Sequence, residues 1–202
     1  MRADVSPATS SFSVLRAYLV ARAALSESEL EFIRSLFIPK TLRAREYFLR
    51  AGTVPMHSAF VVRGCLRTYV IDPEGREHII KFGPETWWVG DTASLASGTP
   101  SQYHIDAVED SDLLLIDGPS HERIVQAVPG YAAAFRLGLT RHVAAKDRRI
   151  LSAISASAQE RYEDFLKTYP SLATRVPQHM LASYLGVSPE TISRIRRKLA
   201  SR

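Results

Sequence analysis

The segment Gln178-His179-Met180-Leu181-Ala182-Ser183-Tyr184-Leu185-Gly186-Val187-Ser188-Pro189-Glu190-Thr191-Ile192-Ser193-Arg194-Ile195-Arg196-Arg197-Lys198-Leu199 encodes two short helices and the turn between them. Gln178 to Leu185 suits a helix with Leu181, Ala182 and Leu185 facing inward. Gly186 then provides a left-handed backbone position, which ends a helix without a Cβ penalty. Ser188 is a good N-cap, and Pro189 suits the first helical position, where no amide hydrogen bond is needed. Val187 and Ile192 stand where a hydrophobic staple would close. Helix, tight turn, helix is the local reading.

On the second helix, Ile192, Ile195 and Leu199 share one face at about 100° per residue. Glu190, Arg194 and Arg197 lie opposite, with Ser193 beside them. One side can anchor the helix while the other presents long polar side chains. Arginine can make two parallel hydrogen bonds to guanine, and glutamate can accept one from the cytosine amino group. Arg196, Lys198 and Arg202 could meet phosphates on either side. The candidate DNA-contacting set is Gln178, His179, Ser188, Pro189, Glu190, Thr191, Ser193, Arg194, Arg197 and Lys198. The plainer alternative is a surface helix with Glu190 and Arg194 as an ordinary i, i+4 ion pair. The coincidence of turn, cap, staple and basic outer face favours DNA.

Charge supports that reading. The 202 residues carry a net +5, with 26 Lys and Arg against 21 Asp and Glu. Residues 1–135 hold 13 basic and 16 acidic side chains, a net of −3, whereas residues 136–202 hold 13 and 5, a net of +8. A C-terminal part so biased suggests a polyanionic partner.

Upstream, Ser157 and Glu160 fit a capping box. Tyr162, Phe165, Leu166 and Tyr169 then form the apolar face of a helix that Pro170 ends. Before it, Tyr131 to Ile154 carries Phe135, Leu139, His142, Lys146, Arg149 and Ala153 near a coiled-coil spacing. At about 1.5 Å per residue this helix outruns the core of a small domain. Either a second subunit covers it or one face packs on the β region, and the polar Lys146 and Arg149 weigh against the first. Between Phe37 and Asp117 lie short β-type runs: His57 to Val62, Cys65 to Ile71, His78 to Phe82, Tyr103 to Val108, and Leu113 to Ile116. Asp72-Pro73-Glu74-Gly75 is a strong turn between two of them. An antiparallel sandwich or barrel is expected.

Other classes find less support. The apolar run Ile124 to Phe135 is too short and broken to span a membrane, and Arg16 and Arg22 interrupt the N-terminal apolar run, so a soluble, cytoplasmic chain is expected. Cys65 is the sole cysteine, so neither an internal disulfide nor a cysteine-held metal or iron–sulfur centre is expected. No Gly-rich phosphate loop, His-Glu-x-x-His or Gly-x-Ser-x-Gly occurs, and the six His show no telling spacing, so an enzyme is not expected.

A β-rich domain, a long helix and a C-terminal helix-turn-helix together resemble the Crp/Fnr family of bacterial transcription regulators. The resemblance is most specific in Ala158-Gln159-Glu160-Arg161-Tyr162, in Tyr169-Pro170 and in Ala182 to Arg196, and is closest to the branch common in Bacteroidetes-type bacteria. It implies an α+β fold: an antiparallel β jelly-roll of the cyclic-nucleotide-binding type, a long dimerisation helix and a DNA-binding helix-turn-helix domain. The implied layout is an N-terminal extension at 1–24, an effector domain at 25–129, the dimer helix at 130–155 and the DNA-binding domain at 156–202. Phe135, Leu139, His142, Lys146 and Arg149 would then lie on the dimer helix. The implied function is sequence-specific transcriptional regulation by a homodimer on an inverted repeat of double-stranded DNA. RNA polymerase and an unidentified small-molecule effector are further candidate partners. The alternative is a sensing or protein-interaction module whose helix-turn-helix is only structural.

In cyclic-AMP-binding members of the family, a Gly-Glu pair, a short helix and an Arg-Ser or Arg-Thr pair hold the ribose and cyclic phosphate. The matching residues here are Gly90, Asp91, Ser101 and Gln102, with Trp88 and Tyr103 as neighbouring candidates for the effector pocket. The arginine is missing, and a neutral serine cannot replace its charge. Cyclic AMP is therefore not expected as effector, and neither a cofactor nor a metal is expected. His78 and His104 could be offered as haem ligands, but a lone histidine is more often structural.

Overall fold

The computed structural model describes residues 7–200. Two helices open the chain, α1 (Pro7–Val20) and α2 (Glu27–Ser35). Strands β1 (Ile38–Leu42), β2 (Tyr47–Leu49), β3 (Ser58–Arg63), β4 (Leu66–Ile71), β5 (Glu77–Gly83) and β6 (Trp88–Val89) follow. A short helix α3 (Thr92–Ser97) precedes β7 (His104–Ala107) and β8 (Ser111–Ile116). The remainder is helical: α4 (Gly118–Ala127), α5 (Pro129–Ser155), α6 (Ala158–Thr168), α7 (Gln178–Leu185) and α8 (Pro189–Ala200). From β1 onward the expected order, an antiparallel β region and then helices, is the one observed; α1 and α2 were not identified from sequence.

The strands form two four-stranded sheets, β1-β8-β3-β6 and β2-β7-β4-β5. In the first, β8 lies between β1 and β3, with Leu115 opposite both Ile38 and Ala59. Side chains alternate across a strand, so β3 sends Ala59 and Val61 to one face and Phe60 to the other. Ala59 and Val61 meet Leu42, Leu49, Leu66, Val89, Ile105, Ala107 and Leu113 in one core cluster. Phe60 joins a second cluster, in which Phe12, Leu15, Tyr18 and Leu19 of α1 pack with Ile33, Ile124, Val128, Tyr131 and Ala134 from the later helices. With both faces buried, β8 reads Leu113-Leu114-Leu115-Ile116 rather than an alternation. Phe12, Leu15, Tyr18 and Leu19, within the stretch expected as an N-terminal extension, thus supply core side chains.

Two compact units result. One runs up to Thr68 and from Phe82 to Leu139; the other comprises Tyr69–Lys81 and the chain from Thr140 onward. Tyr162, Phe165, Tyr169, Leu172, Val176, Leu181, Ala182, Leu185, Ile192 and Ile195 are buried in the second. The capping box at α6 forms as its sequence indicates: Glu160 N donates to Ser157 Oγ and Ser157 N to Glu160 Oε2. Strands β1, β2 and β6 were not identified from sequence. β1 contains Pro39 and sits at a sheet edge, where a missing N–H is tolerated, and β6 is two residues long. Among the described residues, no helix is long and apolar enough to cross a membrane.

One charged pair lies deep in the first unit. Arg67 on β4 makes two parallel bonds to Asp106 on β7, at 2.7 and 2.9 Å. Their side chains are 8% and 6% exposed. Removing one partner of a buried pair is far more damaging than losing a surface pair. Asp106→Ala is expected to cost about 3–5 kcal/mol in urea unfolding. A loss below about 1 kcal/mol would show that the pair behaves as a solvated one.

Candidate nucleic-acid interface and effector region

Gly186 ends α7 at φ 65°, a left-handed position that favours glycine, and its N–H returns to the carbonyls of Ala182 and Ser183. Val187 N bonds Ala182 O at 3.0 Å, closing the turn. Ser188 Oγ accepts from Thr191 N, and Pro189 opens α8. Ile192 and Ile195 are buried, so the helix is anchored by the face its sequence indicates. Ser188, Pro189, Glu190, Ser193, Arg194, Arg197 and Lys198 are exposed, as is His179 near the start of α7; Thr191 is half-buried. Glu190 is held below the usual carboxylate range, chiefly by a hydrogen bond with the Ser188 side chain. A carboxylate beside the start of α8 also suits the positive end of the helix dipole.

Two half-buried polar residues are tied to other parts of the chain. Gln178 is half-buried, and its Nε2 donates to Pro189 O at 2.5 Å and Ser193 Oγ at 2.6 Å, tying the start of α7 to the first turns of α8. Arg196, read from sequence as facing phosphates, turns inward instead. Its Nε meets Tyr162 Oη at 3.1 Å and its Nη2 meets Ala173 O at 2.9 Å. Tyr162 packs from α6 with its hydroxyl at the core edge, within reach of a long side chain on the flank of α8. The exposed set on α8 is therefore Glu190, Ser193, Arg194, Arg197 and Lys198.

In the first unit, Asp91 caps α3. Its carboxylate accepts from Ser94 N at 3.2 Å and from Ser101 Oγ at 2.8 Å. Ser101 Oγ in turn accepts from Tyr103 N at 3.0 Å, and Ser101 N donates to Thr53 O at 2.9 Å. Asp91 and Ser101 are both buried. Burial alone would raise the Asp91 pKa, but hydrogen bonds from Ser101 and Ser94 outweigh it and hold the group below its ordinary value. Gly90 approaches Ser58 so closely that an added Cβ would lie 3.1 Å from Ser58 Oγ. Gly90, Asp91, Ser101 and the Tyr103 backbone are thus brought together. Gln102 faces solvent, and Trp88 packs elsewhere, with ring centres 5.4 Å from Phe60 and 5.1 Å from Phe135.

The remaining sequence candidates are placed as follows. Phe135 is half-buried against Trp88 and His121. Leu139 and Lys146 are exposed, and Arg149 bonds backbone carbonyls of its own chain. His142 lies outside the residues whose side chains are described. An exposed apolar stripe on α5 comprises Leu139, Val143, Ile150 and Ile154, between 40% and 81% exposed. Their spacing of four, seven and four residues keeps them on one helical face. His78 Nε2 pairs with Asp72, and His104 Nδ1 accepts from Ala51 N. Among the described residues, no group of three His, Cys, Asp or Glu could hold a metal ion. Sequence reasoning also missed a hollow of about 310 Å³ lined by residues including Tyr47, Arg50, Thr53 and His57, where the Arg50 guanidinium lies 3.6 Å from the centre of the Tyr47 ring.

Residues 39–127 match the cyclic nucleotide-binding domain family. No curated protein sequence matches the chain. Among solved structures, FixK2 from Bradyrhizobium japonicum is 20% identical with a TM-score of 0.70, over 82% of this chain and 85% of that one. The c-di-GMP-responsive global regulator CLP of Xanthomonas campestris is 15% identical with a TM-score of 0.69, over 87% and 92%. A protein assigned as a Crp/Fnr-family transcriptional regulator from Eubacterium rectale is 20% identical with a TM-score of 0.64, over 88% and 84%. The chain therefore has the fold of Crp/Fnr-type structures, a jelly-roll like that of cyclic nucleotide-binding domains followed by C-terminal helices. The last two of these structural neighbours are named as regulators.

Proposed function

We propose that this chain is a Crp/Fnr-type transcription regulator that reads double-stranded DNA as a homodimer, in the cytoplasm. The observation that carries the reading is α8: two isoleucines hold it down while Glu190, Ser193, Arg194, Arg197 and Lys198 stand exposed. A net +8 over residues 136–202 supplies the long-range attraction. The apolar stripe Leu139, Val143, Ile150 and Ile154 supports the dimer, because such a row on a helix is suited to a second helix. A two-fold dimer would read half-sites about 34–36 Å apart. RNA polymerase and an unidentified small molecule remain its proposed further partners.

Selection of bound sequences from random DNA tests the function and supplies the operator. On that operator, Arg194→Ala is expected to cost about 1–3 kcal/mol and relax one base position, with fold stability changed by no more than about 0.5 kcal/mol. Lys198→Ala should weaken all sequences alike and make the salt dependence shallower by about one charge. Arg196→Ala should instead lower stability by about 1–3 kcal/mol, since two internal hydrogen bonds are lost. Equal affinity for every sequence would favour the alternative, a sensing or interaction module with a structural helix pair.

Light scattering at micromolar concentration should give twice the chain mass for the wild type and a shift to monomer for Val143→Glu. An unshifted mass in the variant would move the interface elsewhere.

Cyclic AMP and cyclic GMP are proposed not to switch this protein. A cyclic phosphate leaving water needs a charged or well-organised partner. Here Asp91 and Ser101 are bonded to each other, and Gln102 offers neutral bonds worth about 0.5–1.5 kcal/mol, against about 1.5–3 for charge-assisted ones. Calorimetry with each nucleotide at millimolar concentration should show no saturable binding, and a low-micromolar Kd would overturn the claim.

A further inference from the structure

Strand β5 closes its sheet on one side, so one row of its backbone groups has no neighbouring strand. An edge of this kind needs cover by charge, a bulge or another element. Here two side chains of the C-terminal helices provide it. Ser183 Oγ on α7 donates to Glu77 O at 2.7 Å and accepts from Ile79 N at 3.0 Å. Glu77 and Ile79 are two residues apart, so these groups point to the same side of the strand. Arg149 on α5 donates from Nη2 to Ile79 O at 2.8 Å and from Nη1 to Ile80 O at 2.5 Å. Its Nη2 also reaches Tyr184 O at 2.9 Å, in the last turn of α7, and the guanidinium lies 4.3 Å from the centre of the Tyr184 ring.

The hydrogen bonds of Arg149 all go to backbone carbonyls. One of these belongs to the electronegative end of α7, which suits a cation. A guanidinium holds its donors on separate nitrogens in a rigid plane and so reaches carbonyls of two elements at fixed positions, whereas an ammonium offers its three donors from a single nitrogen. All of these residues lie in the unit formed by Tyr69–Lys81 and the chain from Thr140 onward. The hairpin tip is thus part of the helical unit in packing, although its sequence falls within residues 39–127, the stretch that matches the cyclic nucleotide-binding domain.

We propose that Arg149 and Ser183 are positioning residues for DNA reading: they fix α7 to the edge of β5 and so preset the orientation of α8. The proposal rests on the DNA-binding reading above. The attachment is at the C-terminal end of α7, while His179 at its other end and the outer face of α8 stay exposed. The attached arrangement is therefore the one competent to read, and loosening it weakens binding without changing which bases are preferred.

The test uses the full chain as wild type, Ser183→Ala, Arg149→Gln and Arg149→Lys. Two quantities are measured at one salt concentration: amide hydrogen exchange at Ile79 and affinity for the DNA selected by the wild type. Exchange at Ile79 should quicken in Ser183→Ala and Arg149→Gln, and affinity should fall roughly five-fold or more with base preference intact. Arg149→Lys should lie between wild type and Arg149→Gln. Because coupling is reciprocal, adding DNA to the wild type should slow exchange at Ile79. Ser183→Ala removes a single hydroxyl, so it keeps the test valid should Arg149→Gln unfold. Quicker exchange with unchanged affinity would overturn the proposal and leave the DNA-binding reading standing, as would unchanged exchange. A wild type that selects no DNA sequence would overturn the reading itself, and this proposal with it.

Discussion

Burial of Ile192 and Ile195 is the contact on which the functional end of this protein depends. A helix carrying Arg194, Arg196, Arg197 and Lys198 within five residues repels itself and cannot bury at random. Two apolar side chains three residues apart define one face, and the core of Tyr162, Phe165, Leu181, Ala182 and Leu185 receives it. Once that face is down, the direction of every other side chain on α8 follows from helical geometry. Gln178 and Arg196 refine the seat at successive turns along one flank of α8, one through Pro189 and Ser193, the other through Tyr162 and Ala173.

The effector region shows a different balance. A site for a cyclic phosphate needs donors left unmatched until the ligand arrives. Here the acidic and hydroxyl groups at the matching positions satisfy one another, since Asp91 accepts from Ser101 and caps α3. A buried carboxylate is stable in that setting because its hydrogen bonds offset desolvation. The same bonds leave it poorly suited to meet an anion. The region keeps a jelly-roll like that of cyclic nucleotide-binding domains, and the mutual bonding at these positions is what supports the proposal that cyclic nucleotides do not switch it.

Side-chain direction separates what was legible in the chain from what was not. The turn at Gly186, the caps at Ser157 and Ser188, and the apolar face of α8 all depend on residues within four positions of one another. Short-range patterns of that kind are readable because the backbone alone sets their geometry. Trp88 shows the limit. Its neighbourhood with Asp91 is close in sequence, yet alternation on β6 sends it toward Phe60 and Phe135. On α5 a coiled-coil spacing was visible, but Phe135 packs inward and Arg149 bonds carbonyls, so the exposed stripe runs through Val143 and Ile150 instead.

From the linear chain come the class of the main strands and of the last four helices, the break between the acidic and basic parts, and the face of α8 that turns outward; the helical class of α1 did not. These follow from periodicity and composition, which need no knowledge of distant neighbours. The tasks of the individual arginines could not be read in that way. Arg194 stays exposed, Arg196 binds a tyrosine hydroxyl, Arg149 spans three carbonyls and Arg67 lies against a buried aspartate. A guanidinium on a long flexible stem goes wherever folding leaves an unsatisfied acceptor within reach, and such acceptors exist only once distant segments have packed together.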